Sequence, residues 1–346
     1  MPTIKSTWSQ NEALAYYVNN TNETLDSVID ILTEEVEMNE IKFNKIKPTN
    51  KLGDLFSYKK LSPYVGLRGR IPIRANTTYV GVEIEVEKVL SGITLAGTWR
   101  YDNDGSLKDN GAEFVTIPIK AKYLEIELRR LFSSIKKSEA TCRCSTHVHL
   151  NVRDFTLEEL KVFLAIYMVF EKSLYNFSGA RWNNNYCVPL FNTSSEVLNF
   201  VSRLDRMSMK DFPTFMHKYS GLNTCPIYGG ESKLFGTVEF RHMEGTKDTT
   251  YILNWINLII SLKIFAKKTR FIDLNVHLQT MNTTSGYYWL AKEVFGNWVH
   301  LITEQKSFKS DVESCITKAK TIFQKKKTIK KELKLNLSGK DIICVE

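Results

Sequence analysis

The sequence predicts an α+β protein, a sheet covered on one face by helices. Three observations lead there. Alternating apolar and polar residues recur at 79–88, 112–117, 144–152 and 235–243, the pattern of half-buried strands. Apolar residues at helical spacing occupy 120–137, 156–177 and 249–267. The two kinds of segment do not alternate regularly, so a doubly wound parallel sheet is not expected.

The helices carry their own start signals. Thr156-x-x-Glu159 is a capping box, and Asp248-Thr249-Thr250 supplies a cap for the helix that follows. Asn20-x-x-Glu23 offers another, ahead of Leu25, Val28, Ile31 and Leu32, on an acidic helix that should end before Pro48. Pro48, Gly53, Pro63, Gly66, Gly69 and Pro72 then read as loop or short strands. We therefore expect a helical and loop attachment over 1–75, a central domain over 76–267 and a helical, lysine-rich region over 268–346.

Composition narrows the class. The chain has 346 residues, 43% hydrophobic, with 47 Lys+Arg against 38 Asp+Glu for a formal charge of +9. That balance excludes collagen-like, low-complexity and disulfide-scaffold chains. No apolar run reaches the ~18 residues of a membrane span, because Asn254, Asn257 and Lys263 interrupt Tyr251–Ala266. Met1-Pro2-Thr3-Ile4-Lys5 lacks a signal-peptide core. The expectation is a cytoplasmic protein with no membrane partner.

Residues 318–334 hold eight lysines against Glu332, a local +7 that leaves only +2 elsewhere. A nucleic-acid tail is one reading. A solvated helix end is preferred, since Phe323 is the segment's one aromatic and stacking on bases needs more.

Cys142, Cys144, His147 and His149 lie within eight residues and invite a zinc reading. In an extended strand, however, side chains alternate. Cys142, Cys144, Thr146, Val148 and Leu150 would share the apolar face, whereas Arg143, Ser145, His147, His149 and Asn151 would share the polar one. Zinc would need a bulge between Cys144 and His147.

Chemistry concentrates on the polar strand faces. In 79–87, Val80, Val82, Ile84 and Val86 take one face and Gly81, Glu83, Glu85 and Glu87 the other. Neighbouring carboxylates there stand about 6–7 Å apart and repel, unless cations relieve them; Mg²⁺, a hard oxygen-seeking ion, suits such a row. Glu239 and Arg241 share a face in 236–246, a pairing that serves either a surface salt bridge or a site holding a metal and a phosphoryl group together. Glu113 enters an apolar strand and needs a partner. Asp102-x-Asp104-Gly105 lacks the glycine offset and closing glutamate of a calcium loop and reads as a hairpin turn. The Walker-A loop, G-x-G-x-x-G, H-E-x-x-H and G-x-S-x-G are all missing.

An ordered series of motifs resembles the amidoligase family of bacteria and phages, related to glutamine synthetase and glutamate–cysteine ligase. It runs Gly81-x-Glu83-x-Glu85, Asp104-Gly105-Ser106-Leu107, Glu113-Phe-Val-Thr116-x-Pro118, His147-Val-His149, Arg181 before Tyr186-Cys-x-Pro189, Tyr219-x-x-Leu222-Asn223, and Glu239-Phe-Arg241 with Gly245-Thr246. The resemblance spans roughly 78–267. Where relatives commonly place glycine ahead of the histidines, this chain has Cys144-Ser145-Thr146.

The resemblance implies a curved, glutamine synthetase-like antiparallel sheet with helices on one face. It implies ATP-dependent joining of a carboxylate to an amine through an acyl phosphate, with ATP and two or three Mg²⁺ on the concave face. Glu83, Glu85, Glu113, His147 and Glu239 would bind metal. His149, Arg241 and Glu239 would act in catalysis, with His149, Arg241 and Arg181 on ATP phosphates. Arg181, Tyr219 and Asn223 would face substrate. Partners would be small-molecule or peptide carboxylates and amines, with an oligomer or larger assembly in keeping with the wider superfamily. A phage origin would place the protein in the host cytoplasm or a virion, and the alternative is a non-catalytic member of the same fold acting as a virion-associated binding or structural protein.

Overall fold

The structure, a computed structural model, describes residues 51–52, 78–179, 181–182, 184–190, 218–228, 235–280, 283–308 and 310–313. The Asn20 capping box, nearly all of the 1–75 attachment and the 318–334 lysine run lie outside the described residues.

Among the described residues, seven strands form one sheet: β1 Tyr79–Val86, β2 Trp99–Asp102, β3 Ala112–Thr116, β4 Ile119–Lys120, β5 Ser145–Asn151, β6 Leu222–Asn223 and β7 Thr237–Glu244. Their order is β2-β3-β1-β5-β7-β6, with β4 beside β1, and every pairing is antiparallel. The expected α+β class and the helix-covered sheet are both present. β-Branched residues explain β1: Val80, Val82, Ile84 and Val86 are buried on one face and leave Glu83 and Glu85 on the other.

Two long helices cover the apolar face. α1, Leu124–Ser134, precedes them; α2 is Leu157–Ser178, α3 is Cys225–Tyr228 and α4 is Thr249–Lys268. The capping box of α2 is formed, with Thr156 accepting from the Glu159 amide at 3.1 Å and Glu159 accepting from the Thr156 amide at 2.7 Å. Asp248 caps α4 through the amides of Thr250 and Tyr251. Phe163 and Tyr167 of α2 and Trp255 of α4 meet Phe240 of β7 edge-on, at ring separations of about 6 Å. α5 Phe271–Thr280, α6 Thr284–Phe295 and α7 His300–Thr303 follow in the described part of the C-terminal region. Leu52, fully buried, ties the N-terminal region to this core through its amide and the Phe155 carbonyl, 2.7 Å apart.

Several expectations need correction. α4 is longer than the apolar run suggested, and by length and composition it could cross a membrane. Yet 72% of its apolar window is buried inside the protein, and Lys263 bonds inward to the Asn151 carbonyl and Asp154. It is a core helix. The helix expected from residue 120 begins at 124 after a 3₁₀ turn, Ala121–Tyr123, because β4 holds the preceding residues in the sheet. Residues 99–102, absent from the expected strands, form an edge strand on β3, and Asp104-Gly105 lies in the connection between the two strands. The sheet's polar-face segment near the histidines starts at Ser145, so Cys142 lies exposed in a turn rather than on the buried face. Arg143, in the same turn, leaves the histidine row and closes on Glu87.

Candidate functional site

The open face of the sheet gathers side chains from its four central strands. Register sets this: Glu85 stands opposite Glu113, Glu83 opposite both Val115 and His147, and His149 opposite both Gly81 and Glu239. Around His147 the β5–β7 ladder shifts by one residue, so that Arg241 and His242 together oppose a single position. Such a bulge re-aims side chains. Here it leaves His242 and Met243 both buried and keeps Glu239 and Arg241 in the site. Strict alternation along β7 therefore holds only as far as Arg241.

Glu83 is the hub. One carboxylate oxygen lies 3.1 Å from Nδ1 of His147, the other 3.1 Å from Nε2 of His149. His149 Nδ1 is 3.0 Å from the Thr237 hydroxyl. His147 also stands 3.5 Å from Glu239. Among the described residues, two overlapping groups each bring one ligand atom per residue within 4.8 Å of the others: Glu83, His149 and Glu239, and Glu83, Glu113 and His147. Neither contains a cysteine.

A second layer orients these groups. Ser145 donates through its amide and hydroxyl to one oxygen of Glu85, at 2.7 and 2.6 Å. With its proton so used, Ser145 Oγ, 2.8 Å from His147 Nε2, is placed to accept from that nitrogen. Nδ1 of His147 then faces the carboxylates of Glu83 and Glu239. Asn223 gives its amide to Glu239 at 2.7 Å and accepts from the Cys225 amide at 2.9 Å. Arg241 donates Nη1 to Glu239 and Nε to the Tyr186 carbonyl at 3.2 Å.

Charge within the cluster is uneven. Burial raises Glu83, but the facing imidazoles outweigh it and hold the carboxyl well below its ordinary value. Glu113 is pushed up to about 8, by burial first and then by the negative charge of Glu83. Burial lowers His149, yet Glu83 overrides it and lifts the imidazole to about 9. Glu87 stands apart. Arg143 grips both its oxygens, Lys108 and Thr141 add two further bonds, and its carboxyl falls to about 2. It was not expected to be a ligand, and its bonds are already committed.

The remaining expected residues lie further out. Tyr219 packs its ring against Tyr186 at 5.4 Å, beside Arg241, and Arg181 reaches the Met243 carbonyl at 3.3 Å. Neither belongs to the two carboxylate–imidazole groups. Ser145 and Thr237 were missed as site residues, although each lies two positions from a chosen residue on the same strand face. A cavity of about 380 Å³ opens beside Glu83 and His149, bounded by Gly81, Val115, Ile117, Pro118 and Phe235.

The donor set fits a hard divalent cation. Carboxylate oxygens predominate, one or two imidazoles complete them, and Glu113 retains its proton to about pH 8 in the absence of a compensating positive charge. Fold and site together define an α+β protein with an acid-rich, open-faced centre suited to divalent ions. Residues 99–263, just under half of the chain, match the family described as "Putative amidoligase enzyme", a similarity that points to a ligase-type function. The match begins after β1, so Glu83 and Glu85 lie outside it and join the site through the sheet. The alternative of a non-catalytic virion protein gains no support from it. No curated protein matches the chain.

Proposed function

We propose that the protein is an ATP-dependent carboxylate–amine ligase. The observation that carries this reading is the convergence of Glu83, Glu113, Glu239, His147 and His149 from β1, β3, β5 and β7, with Arg241 alongside. In this reading a substrate carboxylate oxygen attacks the γ-phosphorus of ATP, the bond to the bridging oxygen breaks, and ADP leaves an acyl phosphate behind. An amine nitrogen then attacks the acyl carbon, inorganic phosphate departs, and the amine gives up a proton to form the amide.

Glu83, Glu85, Glu113, His147 and Glu239 would hold Mg²⁺, which neutralises phosphate charge when bound. Arg241, fixed on Glu239 and the Tyr186 carbonyl, would offer its remaining N–H groups to the transferring phosphoryl group. His149 would donate to phosphate from the Glu83 side. Positioning and charge, rather than covalent work by the protein, supply most of the catalysis of such transfers. The cavity beside Gly81 and Phe235 has the size and apolar walls to receive a nucleoside. Arg181 and Tyr219, on the Arg241 side, would meet the carboxylate substrate, a small molecule or peptide, while Asn223 would serve it through Glu239. The test is incubation with ATP, Mg²⁺, hydroxylamine and a panel of amino-acid and peptide carboxylates. Hydroxamate and ADP in equal amounts are expected; no carboxylate-dependent ADP across the panel would overturn the reading.

A further inference from the structure

Arg241 is held from behind by a relay that begins on the buried helix α2. Glu171 and Tyr175, one turn apart, are both fully buried. Glu171 accepts from the Leu190 amide at 2.6 Å, and Tyr175 donates its hydroxyl to the Cys187 carbonyl at 2.7 Å. These two bonds fasten both ends of the 187–190 segment to the helix. Between them, Val188 donates to the Tyr219 carbonyl at 2.7 Å and accepts from the Gly221 amide at 2.8 Å. The Gly221 carbonyl then accepts from the Arg241 amide at 2.8 Å, and the Tyr186 carbonyl takes the Arg241 Nε–H at 3.2 Å.

The Arg241 backbone therefore rests on Gly221, which Val188 of the pinned segment holds, and its guanidinium on the carbonyl of Tyr186, the residue just before that segment. Space is tight enough to require it: a Cβ at Gly221 would collide with the Tyr175 hydroxyl. We infer that Tyr175 and Glu171, outside the two carboxylate–imidazole groups, are positioning residues that set the aim of the Arg241 guanidinium. The catalytic consequence rests on the ligase reading; the positional claim does not. A guanidinium fixed at Nε has one orientation left for its outer edge, and a small misplacement of such a group is costly in kcat.

The experiment uses isotope-labelled full-length protein and the Nε–H resonance of Arg241, assigned by its disappearance in Arg241→Lys. In Tyr175→Phe we expect this proton to exchange roughly tenfold faster than in the parent, since opening of the 187–190 segment frees it. Glu171→Leu should do the same, and Glu171→Gln, whose amide oxygen still accepts from Leu190, should restore protection. Tyr251→Phe is the control for a lost buried hydroxyl, because its bond goes to the Phe177 carbonyl instead. In turnover assays Tyr175→Phe should lower kcat with KM for ATP within about twofold. An unchanged Arg241 signal in both Tyr175→Phe and Glu171→Leu, or equal loosening in Tyr251→Phe, would overturn the inference. Absence of turnover in the parent protein would instead count against the ligase reading and leave the exchange measurement decisive.

Discussion

Glu83 on β1 bridges His147 and His149 on β5, with 3.1 Å from one carboxylate oxygen to each imidazole. This carboxylate is the member shared by both candidate ligand groups. A single side chain thus couples the two halves of the site.

Glu83→Gln should therefore abolish both divalent positions, whereas Glu113→Gln should remove one. Calorimetric titration with Mn²⁺ or Mg²⁺ reads this directly. We expect affinity to fall by a hundredfold or more in Glu83→Gln, beyond the ~10–100-fold typical of losing a group outside the ligand shell. Parent-like stoichiometry and affinity in Glu83→Gln would remove that residue from the site.

Arg241→Lys keeps the charge and loses the fork that reaches Glu239 and the Tyr186 carbonyl together. ADP formation should drop by about 10²–10³ in kcat, the range for removing one preorganised donor to developing charge. Far-ultraviolet circular dichroism should be unchanged. Full activity in Arg241→Lys would show that bidentate geometry is not used.

Acid should weaken the fold partly through His242. Burial among Tyr167, Tyr175 and Trp255, with Arg181 adding repulsion, depresses its imidazole to about 3. Between the ordinary histidine value and about 3, the unfolded chain takes up a proton that the native protein refuses. The associated stability is thus present above the unfolded value and is lost as pH falls toward 3. Urea denaturation at a series of pH values should show a shallower acid decline in His242→Asn than in the parent, and parallel declines would contradict the assignment.

Gly221→Ala should destabilise the protein by about 1–3 kcal/mol, the usual cost of overpacking a filled core. The obstacle is the Tyr175 hydroxyl, with His242 close behind. Thermal melting of Gly221→Ala with Tyr175→Phe should recover part of the loss. Simple addition of the two single effects would mean that the clash is relieved elsewhere.

Much of the candidate site was legible as period-two pattern. Alternation in 79–87 separated the valines from Glu83 and Glu85, and alternation in 144–152 set His147 and His149 against the buried Val148 and Leu150. The same rule, pushed two residues further, would have found Ser145 and Thr237. It could not find β4 and β6, which are two residues long and too short to show a period. Nor could it find the β7 bulge, because an inserted residue is defined only by its partner strand.

The sequence alone determined which faces of which strands carry charge, since backbone geometry fixes side-chain alternation within a strand. Tertiary structure decided which of those faces meet. Glu83 and Glu239 are brought together by the pairing of β1 with β5 and of β5 with β7, contacts made through backbone hydrogen bonds that no side chain announces. It also decided that Glu87, in the same acidic row, is sealed by Arg143, and that Arg241 is braced from a helix on the far side of the sheet. Those outcomes depend on long-range packing, where the identity of a neighbour is set by the whole core rather than by local order along the chain.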